Sequence, residues 1–191
     1  MIPTTPMIRG TLPEDSSLRA ALGELPELAE LRELPQGRIA GPGEFAAAIR
    51  LAFATAAAQG WREIIISDAT FESWPLGERV VAASLNEWAK TGRTLTMLAR
   101  NFDHVVRQHA RFAAWRRCWS HIVVCRANTS ITEDDFQSAL WSPVWVCQKL
   151  DLVRSTAVAS TDPARRVAIR ERLDECLRRS APSFPATTLG L

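Results

Sequence analysis

The run Arg62-Glu63-Ile64-Ile65-Ile66-Ser67 narrows the folds open to this chain more than any other segment. Three consecutive isoleucines leave no polar face, so the segment predicts a strand buried on both sides, as in a sheet with helices on each face. The chain around it alternates in period. An apolar helix is expected over about 44–59, entered through Pro42-Gly43 and stopped at Gly60. A second is expected over about 77–91, where Val81, Leu85, Trp88 and Ala89 recur at i, i+4, i+7 and i+8 before Gly92. RTLTMLA (93–99) and HIVVCR (121–126) read as further strands, with a third helix over about 102–119 between them. Strand, helix, strand, helix, strand with short links is the pattern of right-handed βαβ units. The expected fold class is therefore α/β, a three-layer, mainly parallel sheet of about five strands with a βαβαβ core, flanked by helices and followed by a C-terminal hairpin and helix.

A chain of 191 residues with 47% hydrophobic content suits one domain with an appended segment. The division predicted is an N-terminal arm over 1–40 and a single α/β domain over 41–191. The arm carries leucines at 18, 22, 25, 28, 31 and 34, interrupted by Gly23 and Pro26. PVWVCQKL and LVRSTAVAS flank Asp151 and suggest the hairpin or two edge strands. Asp162-Pro163 then supplies a cap and a first-turn proline for a helix whose apolar stripe is Ile169, Leu173, Cys176 and Leu177. The closing APSFPATTLGL reads as an apolar tail docked on its own domain.

Composition excludes several classes. The formal net charge of +2 fits neither a globally basic nucleic-acid coat nor an acidic disordered chain. Cysteines at 118, 125, 147 and 176 form no CxxC pair, the N-terminus lacks the charged and apolar regions of a secretory signal, and no apolar run is long enough for a membrane span. A cytoplasmic protein with no membrane partner is expected. No motif for a cofactor is complete, and Cys118, His121 and Cys125 lack a fourth ligand for zinc. No cofactor and no metal are expected.

In an open parallel sheet, ligands sit beyond the carboxyl ends of the strands, which points to Asp68, to Arg100 with Asn101, and to Arg126 with Asn128. Between Arg93 and Arg126 there are seven arginines and a single acid, Asp103. The densest stretch is RQHARFAAWRRCWSH, 107–121. Plotted as a regular helix, it puts Val105, Phe112, Trp115 and Trp119 on one stripe, so its aromatics belong to a core and not to a base-stacking platform. Nucleic acid is accordingly an unexpected partner. His109 and Arg116 share one flank, leaving Arg111 about 160° from His109. The expected ligand-binding set is Asp68, Arg100, His109, Arg116 and Arg126, a pocket for an anionic small molecule or partner group in which His109 is a proton donor and no residue is assigned as catalytic.

The strand and helix order over 62–126, with a histidine-bearing element after the second strand, resembles a half of the phospholipase D superfamily. That family's signature is histidine, any residue, lysine, four residues, aspartate, with histidine and lysine on one strand face. The match starts at His109, with Arg111 in the lysine place and Arg116 in the aspartate place. The resemblance implies a degenerate half-domain, with phosphodiesterase activity only if a second copy completes the site. The 62–99 stretch is also similar to a STAS-type regulatory domain, with Asp68 near the phospho-acceptor region, and the whole chain resembles a proteobacterial group without an assigned activity. Three readings follow: anion binding without efficient catalysis, a homo-oligomeric assembly protein whose seven tryptophans bury subunit contacts, and a phosphodiesterase.

Overall fold

The structure is a computed structural model that describes residues 33–186 apart from Gly92. The arm's leucines from 18 to 31 lie outside the described residues. Eight strands form one sheet: β1 (Gly37–Ile39), β2 (Glu63–Ser67), β3 (Thr94–Ala99), β4 (Val123–Ala127), β5 (Ala139–Trp141), β6 (Val146–Asp151), β7 (Thr156–Ser160) and β8 (Ala181–Pro182). Their order is β1-β7-β6-β5-β2-β3-β4-β8. The helices are α1 (Gly41–Gln59), α2 (Arg79–Ala89), α3 (Asp103–Gln108), α4 (Ala110–Cys118) and α5 (Pro163–Arg178), with a 3₁₀ turn at Pro75–Gly77.

This corrects the expected fold class. The β2–β3 and β3–β4 pairs are parallel, while the five other pairings are antiparallel, so the sheet is mixed and mostly antiparallel, not mainly parallel with about five strands. The reason lies in the connections. A parallel return needs a long crossover, usually helical, and α2 and then α3–α4 provide one after β2 and after β3. After β4 the chain runs through a loop to β5 with no helix between them and pairs antiparallel on the other side of β2. Tight turns at 142–145 and 152–155 then add β6 and β7 as a meander. The strands that escaped the reading, β1, β5 and β8, are three, three and two residues long, too short to print a period of two on the sequence.

Two cores explain the isoleucine run. Ile64 and Ile66 join Phe45, Ile49 and Phe53 of α1 and Val81, Leu85 and Trp88 of α2 on one face. Ile65, on the alternate face, packs with Leu98, Trp141, and Ile169 and Leu173 of α5. A central strand covered on both faces has no position for a polar side chain. Six tryptophans (Trp61, Trp74, Trp88, Trp115, Trp141 and Trp145) are buried, and Trp119 packs partly buried against the first core. They are consumed within the fold, which removes the basis for reading them as subunit anchors. Trp145 also donates its indole N–H to the carbonyl of Pro35 at 2.9 Å, tying the chain before β1 to the β5–β6 turn.

Among the described residues no helix is long and apolar enough to cross a membrane. α5 begins as its sequence requires: the Asp162 carboxylate accepts the amide of Arg165 at 2.9 Å, and Pro163 occupies the first turn. Asp162→Ala is expected to lower stability by about 1 kcal/mol, measured as a shift of the urea midpoint at unchanged slope.

Candidate nucleic-acid interface

β3 ends at Ala99, and the next two residues are anchored by their backbone. The amides of Arg100 and Asn101 both donate to the carbonyl of Ala69, at 3.0 and 3.3 Å. The Asn101 side-chain oxygen accepts the amide of Asp103 at 3.2 Å and starts α3. The helix expected over 102–119 then breaks. His109, at φ −107° and ψ 50°, separates α3 from α4, so a regular projection does not describe this segment.

The break places Arg116 inward. Its Nε donates to the sulfur of Cys125 on β4 at 3.1 Å, its guanidinium lies 4.8 Å from the centre of the Phe184 ring, and the residue is only 5% exposed. Burial pushes the Cys125 thiol up, opposed by the Arg116 hydrogen bond, which keeps the thiol neutral beside the cation. Among the described residues Arg116 Nη1 and Arg100 Nε are buried and have no hydrogen-bond partner. Phe184 is held in turn by stacking on Phe102 at 5.2 Å and by the amide of Ser183, which donates to the carbonyl of Cys125 at 3.1 Å beside the β4–β8 pairing. Together these residues wall a cleft of about 660 Å³ carrying Arg100, Arg116 and Arg117, with Asp103 its one acid among the described residues. Arg107 and Arg111 stand exposed on the adjoining helices, Arg107 within 3.7 Å of Asp103.

Only Arg100 and Arg116 of the expected set meet. Asp68 sits in a separate cleft, its carboxylate filled by the amides of Thr70 and Phe71 (3.1 and 2.8 Å), the indole of Trp74 (3.0 Å) and the hydroxyl of Ser138 (2.5 Å). Arg126 projects to the opposite face, where its guanidinium donates to the hydroxyl and carbonyl of Ser180 beyond α5. Asn128 also turns that way, donating to the carbonyl of Cys176 at 3.3 Å. His109 is buried and donates through Nε2 to the carbonyl of Phe71 at 2.9 Å. Arg111 donates to the carbonyl of Gly77 at 3.1 Å. His109 and Arg111 thus hold one loop, 71–77, instead of diverging around one axis.

Sequence reasoning missed Lys149 on β6. Its side chain is 1% exposed; it lies 3.9 Å from Asp68, donates to the hydroxyl of Ser73, and stands 4.2 Å from the centre of the Phe45 ring. One signal was present: Lys149 is one of only two lysines in an arginine-dominated chain. Burial pushes the Cys147 thiol up to about 12, so it stays protonated.

No family model and no curated protein matches the chain. Its fold is similar to that of a solved structure of TrmBL2, an archaeal chromatin protein whose description reports a novel mode of DNA binding. The TM-score is 0.58 and the identity 15%, over 87% of this chain and 63% of that one. The chain spans less than two thirds of that protein's length. Two expectations are corrected. A five-residue pocket for a small anion does not stand, because Asp68, His109 and Arg126 are engaged internally and apart from the arginine cleft. Nor does the exclusion of nucleic acid stand, since a DNA-binding chromatin protein has this fold. The exclusion rested on the absence of exposed aromatics, which single strands require for stacking, whereas a duplex is gripped mainly through its phosphates.

A Cβ on Gly77 would fall 3.1 Å from His109 Nδ1 and 3.2 Å from the carbonyl of Gln108, tighter than ordinary van der Waals contact. Gly77→Ala is expected to cost about 1 to 3 kcal/mol, read from thermal unfolding. Burial holds His109 below its ordinary range, with the Phe71 carbonyl opposing and nearby His104 adding to the fall. The unfolded chain therefore takes up a proton near pH 6.5 that the folded one resists, so stability is full above about that pH and declines below it toward the folded value. His109→Gln keeps a donor for Phe71 and is expected to flatten the stability profile between about pH 7 and 5.5, measured by chemical denaturation.

Proposed function

We propose that this domain binds DNA through the cleft of Arg100, Arg116 and Arg117 and the exposed arginines of α3 and α4. The observation that carries this reading is a cleft of about 660 Å³ lined by three arginines, Arg100, Arg116 and Arg117, against one acid among the described residues, Asp103. Arg116 is held in place by a thiol on one side and an aromatic ring on the other, and the guanidinium forks at the cleft, exposed Arg117 among them, match phosphate oxygens in geometry and charge. Arg100 and Arg117 at the same cleft, and Arg107 and Arg111 beside it, extend the positive strip along a backbone. The likeness in fold to a chromatin protein supports the same reading. Contacts of this type read backbone and not base sequence, so the binding is non-specific in sequence and strongly salt-dependent. Four cysteines without disulfides support a reduced, cytoplasmic setting.

The test is fluorescence anisotropy with a short labelled duplex over a salt series. Log affinity is expected to fall linearly with log salt, by about 0.9 per phosphate engaged, and Arg100→Ala and Arg117→Ala are each expected to flatten that slope by about one contact. Equal affinity in the double variant, or no binding of any duplex at low salt, overturns the proposal.

A further inference from the structure

The second cleft, about 310 Å³ and lined by Asp68, Glu72, Ser73, Glu133, Lys149 and Ser155 among others, takes no part in the DNA reading. Its chemistry centres on one pair. Ser73 is exposed on the loop after β2, and its hydroxyl accepts a hydrogen bond from Lys149, which rises from the cleft floor on β6. Asp68 lies 3.9 Å from the ammonium, outside hydrogen-bonding range, and its oxygens already accept four other donors. Ser73 is thus the sole hydrogen-bond partner of the Lys149 ammonium among the described residues, and Asp68 acts on it only through charge.

We infer that Ser73 and Lys149 form a serine–lysine dyad that hydrolyses small carboxylic esters or amides, with Ser73 as nucleophile and Lys149 as general base. Serine next to a buried amine is an established way to activate a hydroxyl. Neutral Lys149 takes the Ser73 proton as Oγ bonds to the carbonyl carbon. The tetrahedral intermediate collapses by breaking the bond to the leaving oxygen or nitrogen, which receives that proton from Lys149. Water then attacks the acyl carbon, gives a proton to Lys149, and releases the acid as Ser73 Oγ recovers it. The cleft volume lies at the lower end for a small-molecule site, which suits a small acyl group, and Glu72 and Glu133 beside it favour a neutral or cationic one. Burial pulls Lys149 below the usual lysine range, while Asp68 and Cys147 raise it. The groups facing the amine, Asp68 from the end of β2 and Cys147 on its own strand, therefore set the pH at which the base is free, with Glu72 and Glu133 farther along the cleft.

The experiment treats the full chain with a neutral fluorophosphonate and with p-nitrophenyl acetate across neutral to alkaline pH. Mass spectrometry is expected to locate the adduct on Ser73, at a rate that rises with pH and then levels. Ser73→Ala is expected to abolish ester turnover while binding duplex DNA as the wild type does, which separates this site from the arginine cleft. Lys149→Met, checked for folding by circular dichroism, is expected to slow labelling about a hundredfold or more. No adduct on Ser73, a pH-independent rate, or undiminished labelling in folded Lys149→Met overturns the dyad. If Lys149→Met does not fold, the wild-type pH profile decides alone.

Discussion

The Asp68 carboxylate is the constraint on which the rest of this structure depends. It stands at the end of the central strand, and its two oxygens close the next turn through the amides of Thr70 and Phe71, fix the indole of Trp74, and reach Ser138 at the entrance to β5. A carboxylate in this position is stable because each lone pair has a donor and a buried cation stands near it. In return it holds Phe71 at φ 63°, a conformation that a bulky residue adopts only where its surroundings over-determine it.

Both clefts follow from that one loop. On one side the carbonyl of Ala69 takes the amides of Arg100 and Asn101 and positions the start of α3. The carbonyls of Phe71 and Gly77 take His109 and Arg111, so the helix breaks at His109 and turns Arg116 inward. On the other side Ser73 meets Lys149. The arginine cleft and the serine–lysine cleft are therefore separate in chemistry yet share a scaffold, and a change at Asp68 disturbs the two together.

Much of the first core was legible because its residues are local in sequence. Ile64 to Ile66, the Val81-Leu85-Trp88 stripe and the Asp162 cap each announce a structure through spacing alone. The antiparallel half was not, because β5 has three residues and no period, and its partner depends on which edge of β2 is free. The candidate site was half legible. Arg100 and Arg116 stand out by charge, but Arg126 points to the other face of the sheet because its neighbour Cys125 takes the inner one.

Sequence alone established that a strand covered on both faces lies in the interior, that helical segments link it to β3 and β3 to β4, and that arginine without matching acid gathers between 93 and 126. Those are properties of composition and short-range period, which a chain displays before it folds. Tertiary structure alone decided that His109 interrupts a helix, that Arg116 is buried between Cys125 and Phe184, and that Lys149 lies beside Asp68 and Ser73, some eighty residues distant in the chain. Each of these is a contact between segments whose meeting depends on the order of strands in the sheet, and strand order is set by the whole set of pairings, not by any one segment.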